Sequence, residues 1–355
     1  MNLKLAILIL KHLLLYKMRE KIIIILCFFS VFKTEAQQPY DKLIDSICNR
    51  AKTISLYRDS VNWDTMKHVM KMKSKNATKI EELKPAFDYL LNQLRDHHGR
   101  ILLRKDYSTL SYFTDYKNKR FKDKREFNIE AWKVVNDVNL SYSYKLLKNG
   151  IAYLKIVGIG PMVDIEKESI KIRNSINKMY KNRVIKWIVD LRYNGGGNMH
   201  PMMAGLGPLI GDGKVGMTMD SKGYRLFDWE IKNGNFIYDS LQVVYLRNKI
   251  TFDSLPKVVV LTSRWTVSSG EIVATAFKGR PNTFFIGEAT GGATTETNFE
   301  IFGEVILNIS TGYFSDRNGV VYDENIPVDF EIPFEIVAGL YKDKCINAAI
   351  NWLEK

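Results

Sequence analysis

KVVVLTSRWTVSSGEIVATAFKG, Lys257–Gly279, decides how this chain is read. Its opening run, KVVVLTS, is apolar and rich in valine with no polar alternation, the pattern of a strand buried on both faces. From Glu271 the pattern turns helical and stops at Gly279. Between the two lie five hydroxyls in eight residues: Thr262, Ser263, Thr266, Ser268 and Ser269. Ser268-Ser269-Gly270-Glu271 has the S-x-x-E spacing of a capping box, in which Ser268 accepts from the Glu271 amide and Glu271 reaches back to the Ser268 amide. The same strand-turn-helix geometry would lift a serine clear of a sheet, beside unpaired helix amides that can stabilise an oxyanion. A hydroxyl needs a base before it acts as a nucleophile, and this stretch contains none.

The chain on either side repeats the strand-helix alternation. IAYLKIVGI reads as a strand, and Asp164–Tyr180 as a helix with Ile165, Ile172, Ile176 and Tyr180 on one stripe. VIKWIVDL is an apolar strand ended by RYNGGGN, PMMAGLGPLIG a helix, and FFIGE a strand. The tail from Pro333 carries Ile336, Leu340, Ile346, Ile350 and Leu353, as a closing amphipathic helix would. Upstream, residues 39–95 read as helical, with Leu83, Phe87, Leu90, Leu91 and Leu94 at helical spacing, and residues 100–150 as a polar, Tyr-rich connection. Alternating strands and helices predict an α/β domain with both sheet faces covered.

Two stretches can supply what the serine lacks. LRDHHGR places His97 and His98 at a helix end, and adjacent histidines diverge, so at most one faces a given site. His68 falls in a polar helical stretch, and His200 just after a glycine turn, where a solvated loop histidine is expected. That turn, VDLRYNGGG, leaves backbone amides uncovered after a buried strand. GGGNMH does not fit G-x-G-x-x-G and holds no P-loop lysine, so it is either a tight turn or an oxyanion donor. Asp190 and Arg192 read as a buried pair bracing it.

Composition bounds the alternatives. The chain has 355 residues, 46% of them hydrophobic, and a net charge of +13. The basic residues are interspersed and no nucleic-acid-binding motif occurs, so nucleic acid is not an expected partner. MREKIIIILCFFSVFKTEAQQ, from Met18, has a basic start, an apolar run Ile22–Phe32 and a small residue before Gln37, the layout of a signal peptide over residues 1–36 with cleavage after Ala36. Met18 is an alternative start. The run is shorter than the ~20 residues of a spanning helix. An exported protein without an integral span follows, periplasmic, outer-membrane-associated or extracellular. Cys27 lies within the apolar run; Cys48 and Cys345 remain after cleavage, and whether they pair is open. Neither CxxC nor HExxH spacing occurs, and no metal or cofactor is expected.

Taken in order, these motifs resemble the tail-specific proteases, peptidase family S41, which include the C-terminal processing proteases and the tricorn core. SVNWDTM with LRDHHG resembles the family's "DW … L-x-D-x-H" region, and NGIAYLKI its G-x-x-Y-[IL]-x-I strand. WIVDLRYNGGGN is close to D-L-R-x-N-x-G-G, VVVLTSRWTVSSGEIVATAF resembles the nucleophile turn, and FFIGEATGG the G-E-x-T-x-G turn. The resemblance implies a crotonase/ClpP-like ββα spiral core over 150–355, after a helical region over 37–97 and connecting strands and loops over 98–149. Many family members insert a PDZ module before the D-L-R strand, but the stretch from His98 to Asp190 is short and already holds a strand and a helix, so no PDZ module is expected. The resemblance implies Ser268 as nucleophile, the Ser269 amide with Gly195 or Gly196 as oxyanion hole, and Glu271 in support. Ala293 stands where one branch of the family has its lysine base, so the chain matches the Ser–His branch, with His98 as base. The orienting carboxylate implied is Glu324, with Asp323 as the alternative. The expected activity is serine-type hydrolysis of a peptide or protein substrate. Two other readings stand beside it: a non-catalytic protein binding peptides or apolar ligands on the same scaffold, and a crotonase-like acyl-transfer enzyme.

Overall fold

The structure, a computed structural model, describes residues 40–104, 110–112, 129–135, 137, 140–160, 162–247, 249–337 and 339–355. The segment 1–36, expected to be a signal peptide, and much of the connection 98–149 therefore lie outside the described residues.

Three helices open the described chain: α1 (Tyr40–Ile54), α2 (Trp63–Ser74) and α3 (Lys84–Leu94). Their apolar stripes, including Ile44, Ile47, Met66, Met70, Phe87 and Leu90, share one core with Ile101, Leu103, Leu307 and Ile309. Helix α3 ends where Arg95 turns left-handed, φ 55°, and the chain passes through Asp96–His98 into β1 (Arg100–Arg104). Next come β2 (Leu110–Tyr112), α4 (Ile129–Val135), β3 (Ser143–Leu146) and β4 (Ile151–Lys155). Helix α5 (Ile165–Lys181) is capped by Asp164, whose side chain accepts from the Lys167 amide. Strand β5 (Lys186–Asp190) leads through the glycine loop to α6 (Met199–Ile210). A meander follows: β6 (Gly213–Met219), β7 (Arg225–Lys232), β8 (Asn235–Tyr238) and β9 (Leu241–Gln242). Then come β10 (Lys257–Thr262), α7 (Ser269–Phe277), β11 (Thr283–Gly287), β12 (Thr295–Phe302), β13 (Val305–Asp316), β14 (Val321–Tyr322), β15 (Phe330–Glu331) and α8 (Lys344–Glu354).

The strands build two sheets. One has six strands in the order β15-β11-β10-β5-β4-β3, parallel except for β3. Both faces are covered, which is why its strands read as unbroken apolar runs. Trp187 and Val189 of β5 and Val258 and Val260 of β10 face the core beneath α5, α6 and α7. Ile188, Val259 and Leu261 face Cys345, Ile346, Ala349 and Leu353 of α8 on the other side. The second sheet has nine strands, in the order β2-β1-β13-β6-β7-β8-β9, with β12 and β14 also pairing β13. Its described pairings are antiparallel throughout.

The α/β reading thus holds for the parallel sheet, while the antiparallel sheet was not anticipated. The closing helix is also shorter than expected. It starts at Lys344, where Asp343 Oδ1 accepts from the amides of Cys345 and Ile346. Gly339, at φ 95°, interrupts the backbone upstream, and Ile336 is exposed. Cys48 and Cys345 are buried in different cores and are not joined. Among the described residues, no helix is long and apolar enough to cross a membrane.

Candidate active site

The five hydroxyls between β10 and α7 are not equivalent. Thr262 Oγ1 donates to the Glu288 carbonyl at 2.8 Å, and Ser263 Oγ to the Arg192 carbonyl at 2.7 Å. Thr266 Oγ1 donates to the Leu191 carbonyl at 2.8 Å, and Ser269 Oγ to the Gly197 carbonyl at 2.6 Å. Four of the five are consumed in stitching this turn to its neighbours. Ser268 is the exception: its hydroxyl donates to no neighbouring group and faces the Glu271 amide at the start of the helix. Its backbone sits at φ 55°, ψ −121°, a region sparsely populated by residues with a Cβ and costing about 1–3 kcal/mol. The expected capping box is present, with Glu271 Oε2 accepting from the Ser268 amide at 2.9 Å.

Glu271 is fully buried and does more than cap. Its two oxygens also accept from Thr290 Oγ1 and from the amides of Gly292 and Ala293. Burial pushes its carboxyl up to about 7, against the pull of these donors. Ala293, in the position of the missing lysine, contributes its backbone amide to Glu271 and buries its methyl group.

The glycine loop lies against the same turn. Gly196 and Gly197 have φ of 95° and 104°. A Cβ on Gly196 would lie 3.3 Å from Ser268 Oγ, and one on Gly197 would collide with the Ile159 carbonyl. The two candidate donors in the loop differ. The Gly196 amide is committed to Asn194 Oδ1 at 3.0 Å, whereas the exposed Gly195 amide has no partner among the described residues. The Ser269 amide, in the first turn of α7, likewise has none. A cleft of about 300 Å³ opens beside the loop, with Val135, Leu140, Val157, Ile159, Gly195 and Gly196 among its lining residues.

Asp190 and Arg192 brace the loop from below. Asp190 accepts from the Arg192 amide, Nε and NH2 at 3.0, 3.0 and 2.7 Å, and from the Tyr153 hydroxyl at 2.8 Å. Arg192 also pairs with Asp343 at 2.8 Å, tying the loop to the start of α8. Only 2% of its surface is exposed, consistent with a brace and not a substrate contact.

His98 lies just before β1 of the other sheet. Its Nδ1 lies 2.9 Å from the Thr295 carbonyl and 3.1 Å from Thr295 Oγ1. A carbonyl only accepts, so Nδ1 carries the proton and the Nε2 lone pair is the basic one. Residues 290–295 connect the two halves: Glu271 holds them at Thr290, Gly292 and Ala293, and His98 holds them at Thr295. Among the described residues the Ser268 hydroxyl donates no hydrogen bond, so a Ser268–His98 bond is not closed here. Catalytic hydrogen bonds commonly tighten only with substrate bound.

The expected orienting carboxylates do not take the Nδ1 position. Glu324 and Asp323 are both exposed, while Thr295 fills that place. Asp96, Thr295 and Ser310 carry no local signal in the sequence beyond the place of Asp96 within LRDHHG. His68 is exposed on α2. His200 packs on Phe236 and Tyr238, and burial lowers its basicity. His97 offers its carbonyl to Arg100.

The parallel sheet thus carries the serine turn and the glycine loop side by side at one end of β5 and β10. The model of peptidase family S41 matches residues 150–332, and the chain belongs to that family. A nisin-resistance protein of Lactococcus lactis subsp. lactis is 29% identical over 179 residues, 50% of this chain and 52% of that protein. The chain thus spans about half the length of that curated relative. Among solved structures, a lipoprotein from Streptococcus agalactiae superposes with a TM-score of 0.64 at 20% identity, covering 88% of this chain and 96% of its own. A photosystem II D1 C-terminal processing protease gives 0.55 at 13% identity, covering 83% and 94%. The fold is that of the S41 peptidases.

Proposed function

We propose that the chain is an exported serine endopeptidase, with Ser268 as nucleophile and His98 as general base. The observation that carries this reading concerns the hydroxyl protons: in a turn where every other hydroxyl is donated to a neighbouring carbonyl, Ser268 alone donates to none and sits in a strained conformation. His98 Nε2 takes the Ser268 proton as Oγ attacks the peptide carbonyl carbon. The carbonyl oxygen becomes anionic between the Ser269 and Gly195 amides, each worth about 2.7–4 kcal/mol of barrier. The imidazolium returns its proton to the leaving amine, and water then releases the acyl group by the same path. The apolar side of the cleft beside the loop suits a substrate side chain. The relation to a nisin-resistance protein and the fold shared with a streptococcal lipoprotein support export to the cell envelope, where peptide substrates would be met.

The open Ser268–His98 bond and Ala293 in the lysine position favour a second reading, a peptide-binding protein without turnover. A fluorophosphonate probe separates the two. The hydrolase predicts covalent labelling at Ser268, and a Ser268→Ala protein that folds normally yet loses peptide hydrolysis on the order of 10⁶-fold. A wild-type protein that binds peptides but never takes the label would leave only the binder.

A further inference from the structure

Asp96 is buried at the junction of α3 and β1 and belongs to no ion pair among the described residues. Its Oδ1 accepts from the amides of His98 and Gly99 at 3.1 and 2.7 Å and from Ser310 Oγ at 2.7 Å. Its Oδ2 accepts from the Ser310 amide at 2.8 Å. Gly99 has no side chain because a Cβ there would sit 2.7 Å from the carboxylate. A second set of contacts leads away from it. Ser310 Oγ is 2.8 Å from Thr295 Oγ1, which is 3.1 Å from His98 Nδ1. A register shift between Glu296 and Thr297 in the β12–β13 pair accompanies this approach of Thr295 to Ser310.

The direction of every proton in this chain is determined by its two ends. An ionised carboxylate only accepts, so Ser310 donates to Asp96. Ser310 has one proton, so Thr295 must donate to Ser310. The Thr295 hydroxyl then has only a lone pair to offer His98, and Nδ1–H supplies the donor. We propose that Asp96 is the third member of the Ser268–His98 system, a positioning residue acting on His98 through the hydroxyls of Ser310 and Thr295. No proton travels along the chain. When Nε2 takes the Ser268 proton, Nδ1–H stays in place, and the aligned hydroxyls bring the Asp96 charge to bear on the imidazolium. The Thr295 carbonyl fixes the tautomer; the relay to Asp96 stabilises the charged ring. This role rests on the serine-hydrolase reading, and replaces Glu324 and Asp323 as orienting group.

Other titratable groups surround the network. Tyr57 and Tyr313 face it, and burial raises both phenols, so they stay neutral across the working range. Asp323 lies near both tyrosines, and its side chain is exposed. The test reads the rate of Ser268 labelling by a fluorophosphonate against pH, which needs no knowledge of the natural substrate. Thr295→Val and Ser310→Ala each cut the relay while keeping the Thr295 carbonyl and the backbone amides on Asp96. Each is expected to move the acidic limb down by about one pH unit, because the imidazolium loses a carboxylate's support. The plateau rate should fall roughly tenfold, as a weaker base requires. The double variant should be no worse than either single one, since both break one series of contacts. Thr295→Ser should restore the wild-type profile. An unmoved limb in both single variants, additive losses, or a limb moved instead by Asp323→Asn or Glu324→Gln would overturn the relay alone. A wild-type protein that takes no label at any pH would overturn the Ser268–His98 reading and the relay with it.

Discussion

Glu271 shows how much one residue can carry. Four donors from two segments converge on a carboxylate that has no exposed surface. Burial nonetheless pushes its carboxyl from 4.5 up to about 7. The folded chain therefore holds this proton more tightly than the unfolded chain does. The resulting stabilisation is complete below about pH 4.5 and is lost as pH rises through 7, at about 1.4 kcal/mol per pH unit. Glu271→Gln cannot titrate. The difference in urea-unfolding free energy between wild type and this variant should change by about 3 kcal/mol between pH 4.5 and 7. A difference independent of pH would mean that Glu271 stays ionised throughout. At this scale Ser268 and Glu271 were legible, because a capping box and a nucleophile turn share one local spacing. Thr295 and Ser310 were not, because what makes them matter is a strand register joining positions 15 residues apart to a histidine 197 residues away from Thr295.

The element that positions the chemistry is α7 with the turn before it. The helix approaches the glycine loop so closely that a Cβ on Gly270 would lie 2.6 Å from the Asn194 carbonyl oxygen. That contact is with backbone, which cannot swing aside. Gly270→Ala should push the start of α7 off the loop, and with it the Ser269 amide from the Gly195 amide. A displacement near 1 Å is enough for about a hundredfold loss of Ser268 labelling rate, at about 1–3 kcal/mol in stability. Labelling at the wild-type rate would show that the two donors need not be held together. The parallel strands were legible because burial on both faces leaves an unbroken apolar run. β12, TETNFEIF, is half-buried to exposed along most of its length and is held by antiparallel pairing with β13, so its composition does not mark it as a buried strand. Its hairpin is set by Gly303, at φ 61°, and by pairing with β13.

At the scale of the whole molecule, the serine and the histidine belong to different cores. Ser268 rises from the parallel sheet over the core under α5–α7, while His98 leaves the helical core formed by α1–α3 with β1 and β13. Strand β13 spans the gap: Leu307 and Ile309 pack in the helical core, Ser310 holds Asp96, and Phe314 enters the other core. Leu307→Ala should cost about 2–5 kcal/mol in unfolding free energy and should slow Ser268 labelling through misplacement of His98. Loss of stability with an unchanged labelling rate would mean that the helical core does not set the position of the base.

The sequence by itself determined the family, the parallel strands, the serine turn and the glycine loop. Each is a local pattern, written in residues close together along the chain, where backbone conformation and burial leave their mark directly. Tertiary structure decided which hydroxyl is left over, which loop amide is open, and which groups surround His98. Those outcomes depend on distances between segments far apart in sequence, and a hydrogen bond is made or missed over a few tenths of an ångström that no local pattern records.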